Sequence, residues 1–127
     1  MPGGPAVGAS GEGAALNQET LHALTVHQPW ASEIIAGTKT AEHRSWRSPH
    51  RGHLYIHAGA PPSGDLITRA IVGYVTVVGC RWNTGRGEWD WILKDPVALA
   101  RPVFCRGWPG IWEMTPELAE QVLAAQD

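Results

Sequence analysis

The sequence predicts a small α+β domain, mainly β: a barrel-like sheet of five or six short strands with one early and one late helix on its outside. Three observations lead there. Proline and glycine bracket a short early stretch of helical period, runs of period two rich in β-branched residues follow it, and 127 residues leave no room for a second core. With 43% hydrophobic residues the chain can build that core without a disulfide framework.

Residues 1–20 are mostly Gly, Ala, Pro, Ser and Gln, and Ala6, Val7 and Leu16 are too scattered to make a face. They are expected to form a disordered tail, because so little apolar area does not offset chain entropy. One domain is expected over residues 21–127. Leu21 to Val26 reads as a strand buried on both faces. Pro29 stands where a helix begins and Gly37 where it ends, with Ala31, Ile34 and Ile35 on one face. His53 to Ala58 alternates, Leu54, Ile56 and Ala58 against His53, Tyr55 and His57, and predicts a half-exposed strand. Ile71 to Val78 is the most β-rich run and should be central, with Gly73 marking a bulge or a close approach. A turn at Asn83 to Gly87 precedes two strands, Trp89 to Leu93 and Val97 to Cys105, with Pro96 and Pro102 at edges or bends. Thr115 caps a last helix, Pro116 to Ala125.

Composition narrows the function classes. No apolar stretch reaches the roughly 20 residues that span a bilayer, and the N-terminus has neither the basic nor the apolar part of a secretory leader, so no membrane partner and a cytoplasmic location are expected. Cys80 and Cys105, without a CxxC, suit free thiols on neighbouring strands in a reduced compartment and exclude a zinc ribbon. His53 and His57 would stand about 13 Å apart on an extended strand, too far to share one zinc, so no metal site is expected. No cofactor motif is present either, and oligomeric state is open.

The two acids of the tail, Glu12 and Glu19, account for the net charge of −2 and leave the folded part neutral. Within it Lys39, Arg44, Arg47 and Arg51 face the single acid Glu42 between residues 37 and 60, among His43, His50, His53 and His57. This local basic patch admits a nucleic-acid partner although the overall charge does not advertise one.

Trp30 and Trp46 lie beside that patch, and a base stacked on such a ring gains roughly 1–3 kcal/mol whatever its sequence. Trp46, between Arg44 and Arg47, is the preferred platform, whereas Trp30 on a core-facing helix is as readily a packing residue. Trp82, Trp89, Trp91, Trp108 and Trp112 are read as packing residues. Glu42 and Arg44, two apart on an extended chain, share a face and can form an ion pair. Arg47 and Arg51 can fork onto phosphate. A carboxylate such as Glu42 repels phosphate but accepts from a base's exocyclic amine, which favours base recognition.

Three blocks carry a family resemblance: His27-Gln28-Pro29-Trp30-Ala31-Ser32, then Gly37-x-Lys39-x-x-Glu42-x-Arg44-x-Trp46, then Arg51-Gly52 before Leu54-x-Ile56-His57-Ala58. In this order they resemble the activating signal cointegrator homology (ASCH) domain, from Leu21 to about Trp112. The resemblance implies a PUA-like β-barrel, a fold that commonly binds RNA. It also implies a binding set of Trp30, Lys39, Glu42, Arg44, Ser45, Trp46, Arg47, Arg51 and His57, with RNA or single-stranded nucleic acid, or a modified nucleoside, as partner.

One branch of that family looks like amidohydrolases of N4-acylated cytidine, which use a Lys, a Thr three residues later and a Glu on a later strand. Lys39 matches the Lys, Glu42 stands at the Thr position, and Ile71 to Val78 carries no acid. Lys39 and Glu42 are therefore the catalytic candidates of an enzyme reading. A ribonuclease would draw on Lys39, His50 and His57. A protein-interaction module using exposed tryptophans is the third class, recognisable by an extended apolar patch.

Overall fold

The computed structural model describes residues 20–60 and 64–126. The expected tail lies outside the described residues except for Thr20. In chain order the elements are β1 (His22–His27), α1 (Trp30–Ala36), β2 (Ala41–Arg44), β3 (Gly52–Gly59), β4 (Ala70–Asn83), β5 (Glu88–Phe104), β6 (Ile111–Glu113) and α2 (Pro116–Ala124). The six strands form one curled, half-barrel sheet in the order β2-β5-β4-β3-β1-β6. Only β1 and β3 run parallel, and the connection between them carries α1. No helix among the described residues is long and apolar enough to cross a membrane.

Both faces of the single sheet are covered by packed apolar side chains. On one face α1 lays Ala31 and Ile34 on Leu24, Val26, Leu54, Ile56, Val75, Val77 and Trp91. On the other, α2 and the segment around β6 bring Val122, Trp112 and Met114 onto Ala23, Tyr55, Ile71, Leu99 and Val103. This second layer corrects the half-exposed reading of β3. Tyr55 and His57 are 4% and 2% exposed, because α2 and Trp112 cover the face that the alternation assigned to solvent.

The helix boundaries follow the punctuation, with Pro29 one place earlier than expected, at the N-cap. Proline has no side chain to cap with. Gln28, buried just before it, does so instead: its Oε1 accepts from the Ser32 amide at 3.0 Å while its Nε2 donates to the Ile67 carbonyl at 2.7 Å. Gly37 closes the helix at φ 86°, and the next two amides, Thr38 and Lys39, both donate to the Glu33 carbonyl. The start of Trp30 and the exit toward Lys39 are thus both fixed. Thr115 caps α2 through its side chain, as expected.

The two strands expected on either side of Pro96 are one, β5, continuous from Glu88 to Phe104. Lys94 pairs with Thr76 and Val97 with Tyr74, so Asp95 and Pro96 together face one residue of β4. In such a bulge the missing proline N–H costs no ladder bond. Gly73 lies beside this irregularity, and a Cβ there would run into the Val97 carbonyl and Ile35. Its close approach is what lets α1 settle on β4. Cys80 and Cys105 are free thiols on the neighbouring strands β4 and β5, Cys105 just past the end of β5, and they lie far apart along the pair, since Cys80 pairs across to Trp91.

Candidate functional site

At the edge of the α1 face a cavity of about 480 Å³ opens between β1, the start of α1, β2 and the β4–β5 turn. Thr25, Val26 and His27 form one wall, Trp30 stands at the helix start, Lys39 and Glu42 to Arg44 line the β2 side, and Arg86 and Glu88 close it. The size is that of ordinary small-ligand sites.

Inside it, Arg44 donates from Nε to Glu42 Oε2 at 2.7 Å and from Nη2 to the Thr25 carbonyl at 3.0 Å. The guanidinium therefore ties β2 to β1 and leaves Nη1 over. Arg44 and Glu42 meet because residues two apart on a strand share a face, as the sequence implied. Lys39 and Arg86 differ: among the described residues neither side chain has a hydrogen bond or ion pair. Trp30 is 51% exposed. The cavity thus joins an open indole, two uncommitted cations and the two carboxylates of Glu42 and Glu88.

A network behind β2 holds the Arg86 wall. His43 Nδ1 donates to Asp90 Oδ1 at 2.7 Å, Asn83 Nδ2 donates to Asp90 Oδ2 at 2.9 Å, and the Arg86 amide donates to Asn83 Oδ1 at 3.1 Å. The Asn83 amide, and after it the His43 ring, hold the Asp90 carboxyl below the ordinary aspartate range.

Below the cavity, β1 and β3 share a closed polar knot. His57 Nε2 lies 2.9 Å from the Cys105 carbonyl, an acceptor only, so that nitrogen carries the proton. Burial pushes the His57 pKa down against the raising effect of this bond, and the ring is neutral. Its Nδ1 then accepts from the Thr25 hydroxyl at 3.1 Å, while Thr25 Oγ1 accepts from Trp112 Nε1 at 3.2 Å. Both nitrogens of His57 are committed.

The sequence model of the ASCH domain matches residues 24–94, more than half of the chain. The chain belongs to the ASCH domain family. Over 37 residues, 29% of its length, it is 60% identical to activating signal cointegrator 1 of Homo sapiens, and over 52 residues, 40% of its length, 56% identical to that of Mus musculus. These matches cover 6% and 9% of the two relatives, so the chain spans less than a tenth of their length. Among solved structures, an ASCH protein from Zymomonas mobilis superposes with a TM-score of 0.63 at 15% identity, covering 84% of this chain and 95% of that one. A mutant of the same protein gives 0.64 at 13% identity, covering 86% and 100%. The half-barrel sheet with two helices is therefore the fold expected of the family, a PUA-like group associated with RNA binding.

In this ASCH domain the sequence-derived set divides. Trp30, Lys39, Glu42 and Arg44 come together at the cavity, and His57 lines a second, adjoining space of about 420 Å³. Ser45, Trp46, Arg47 and Arg51 line neither space. Trp46 packs edge-on against Trp91, ring centroids 4.7 Å apart, and its carbonyl accepts from Trp91 Nε1. Arg47 lies over the Trp89 ring, and Arg51 Nη1 donates to the Ser48 and His50 carbonyls of its own loop. His50 donates from Nε2 to the His53 carbonyl.

Trp46, the stacking platform preferred from the sequence, is 36% exposed and packs edge-on against the buried Trp91, whereas Trp30 is 51% exposed and lines the cavity. Of the tryptophans read as packing residues, Trp91 and Trp112 are buried; Trp82, far out on the β4–β5 hairpin, and Trp108, in the loop after β5, are half exposed. Sequence reasoning missed Thr25, His27, Arg86 and Glu88. Only a β4–β5 turn folded back beside β2 brings the last two in, and no local signal marked them.

Proposed function

We propose that this ASCH domain binds nucleic acid, single-stranded RNA first, by capturing one nucleotide in the cavity beneath Trp30. The observation that carries the reading is a half-exposed indole over a cavity lined by two uncommitted cations. The base stacks on Trp30, the free lone pairs of Glu42 accept from an exocyclic amine, and Lys39 and Arg86 meet the flanking phosphate. Arg44 does not reach for the ligand with its paired nitrogens; it holds Glu42 in place.

Titration of a short single-stranded RNA, followed by fluorescence anisotropy, tests this. Trp30→Ala is expected to weaken binding by about tenfold or more with little change in melting temperature, and Trp46→Ala to leave affinity within about twofold. Affinity unchanged by Trp30→Ala overturns the reading.

One observation favours a second activity at the same place: Lys39 and Glu42 share the cavity. Water added to the acyl carbon of N4-acetylcytidine would release acetate and cytidine, with Glu42 taking the water proton and returning it to N4 as the acyl C–N bond breaks, and Lys39 facing the developing oxyanion. Incubation with N4-acetylcytidine decides it; turnover no greater than that of Lys39→Ala removes the enzyme reading.

A further inference from the structure

The first cavity has a neighbour. A second space of about 420 Å³ adjoins it along a common edge made of Thr25, His27 and Arg44, and is bounded farther out by Arg69 and Trp108. From this continuity we infer that the two cavities together seat two successive nucleotides of one RNA strand, the second base against Trp108. The inference rests on the function proposed above and extends it from a nucleotide to a strand with a defined path.

The chemistry along the path changes in the order a strand requires. At the seam Arg44 has used Nε and Nη2 within the protein, which leaves the two N–H groups of Nη1, and His27 is exposed beside it. A phosphodiester joining two seated nucleotides must cross here, where cationic donors are unspent. Beyond the seam, Trp108 is half exposed and the Arg106 guanidinium covers one face of its ring, 3.9 Å from the centroid. That cation–π contact holds the indole in one orientation and leaves the opposite face for a base.

Arg69 supplies the next cation. It has no ion pair among the described residues, and its backbone is held left-handed at φ 61°. The hold comes from both sides: its amide donates to the Ala58 carbonyl at 2.6 Å and its carbonyl accepts from the Cys105 amide at 3.0 Å. The fixed backbone sets the direction in which this exposed arginine leaves the chain at the rim. The loop bearing Trp108 is brought in by Gly107. A Cβ there would lie 2.5 Å from Thr25 Oγ1 and 2.6 Å from the His57 ring, so only glycine lets the loop lie down on β1.

Cytidine 5′-monophosphate and the 5′-phosphorylated dinucleotide pCpC, whose bases carry the exocyclic amine that Glu42 would accept from, are titrated by calorimetry against the full chain and separate the outcomes. The dinucleotide is expected to bind about tenfold more tightly than the mononucleotide, one further base being stacked. Trp108→Ala and Arg69→Gln should each erase most of that advantage, leave mononucleotide affinity within about twofold, and melt like the parent protein. Equal affinity for the two ligands, or an advantage that survives both substitutions, overturns the inference while the single-nucleotide reading stands. Binding of neither ligand overturns both.

Discussion

Two polar regions meet at Thr25, and they are built to opposite rules. On one side the hydroxyl belongs to a knot in which the Trp112 indole, the His57 ring and the Cys105 carbonyl each have a partner. On the other, the cavity wall carries Lys39 and Arg86 with no partner among the described residues, and Trp30 open to solvent. Polar residues near a suspected site are thus of two kinds. Those of the knot are spent on holding β1, β3 and the loop after β5 together, and those of the wall have no partner among the described residues. The difference is energetic as well as geometric. A buried donor or acceptor stripped of its partner costs roughly 1–3 kcal/mol, whereas a solvated cation costs almost nothing to remove.

The sharpest way to break the comparison is Thr25→Val, which keeps the shape and deletes the hydroxyl. It orphans Trp112 Nε1 and His57 Nδ1 together, and a loss of roughly 2–4 kcal/mol in urea unfolding is expected. A wild-type unfolding midpoint would show that the knot is not what joins these strands.

Why one region was legible in the sequence and the other only in part follows from the same contrast. Glu42 and Arg44 could be paired from their spacing alone, because strand geometry puts residues two apart on one face. The α1 boundaries could be read from Pro29 and Gly37, since each acts through its own backbone. Residues whose role depends on distant chain segments were not readable. Arg86 sits in an ordinary-looking turn and becomes a cavity wall only because β5 pairs with β2. His57 looked like half of an exposed polar face and is buried because Trp112 and the loop at Gly107, from far along the chain, cover it. Pro96 looked like a strand break, and a two-residue bulge absorbed it.

A smaller effect sharpens the comparison among the arginines. Arg86 faces the cavity unspent, while Arg51 donates Nη1 to two carbonyls of its own loop. Each phosphate contact to a single strand contributes about 0.7 to the slope of log affinity against log salt. Arg86→Ala should therefore flatten that slope by about this amount and leave stability within roughly 0.5 kcal/mol. Arg51→Ala should do the reverse, lowering stability modestly with the slope intact. Equal slopes for Arg86→Ala and the parent protein would remove Arg86 from the contact surface.

The smallest effect lies in the pH dependence of the knot. Because burial lowers the His57 pKa in the folded chain, the unfolded chain binds its proton more readily in the interval between that lowered value and the ordinary one near 6.5. The neutral ring's contribution to stability is therefore whole above about pH 6.5 and is withdrawn as the pH falls toward the folded-state value, at no more than about 1.4 kcal/mol per pH unit for one proton. Gln at position 57 keeps a donor for the Cys105 carbonyl and cannot titrate. His57→Gln should start out less stable at pH 7.5 but lose less between pH 7.5 and 5.5 than the parent protein, as followed by urea midpoints at each pH. If both proteins fall in parallel, the acid sensitivity belongs to other groups, and the neutral, doubly bonded ring at the floor of the second cavity is not the state that folding selects.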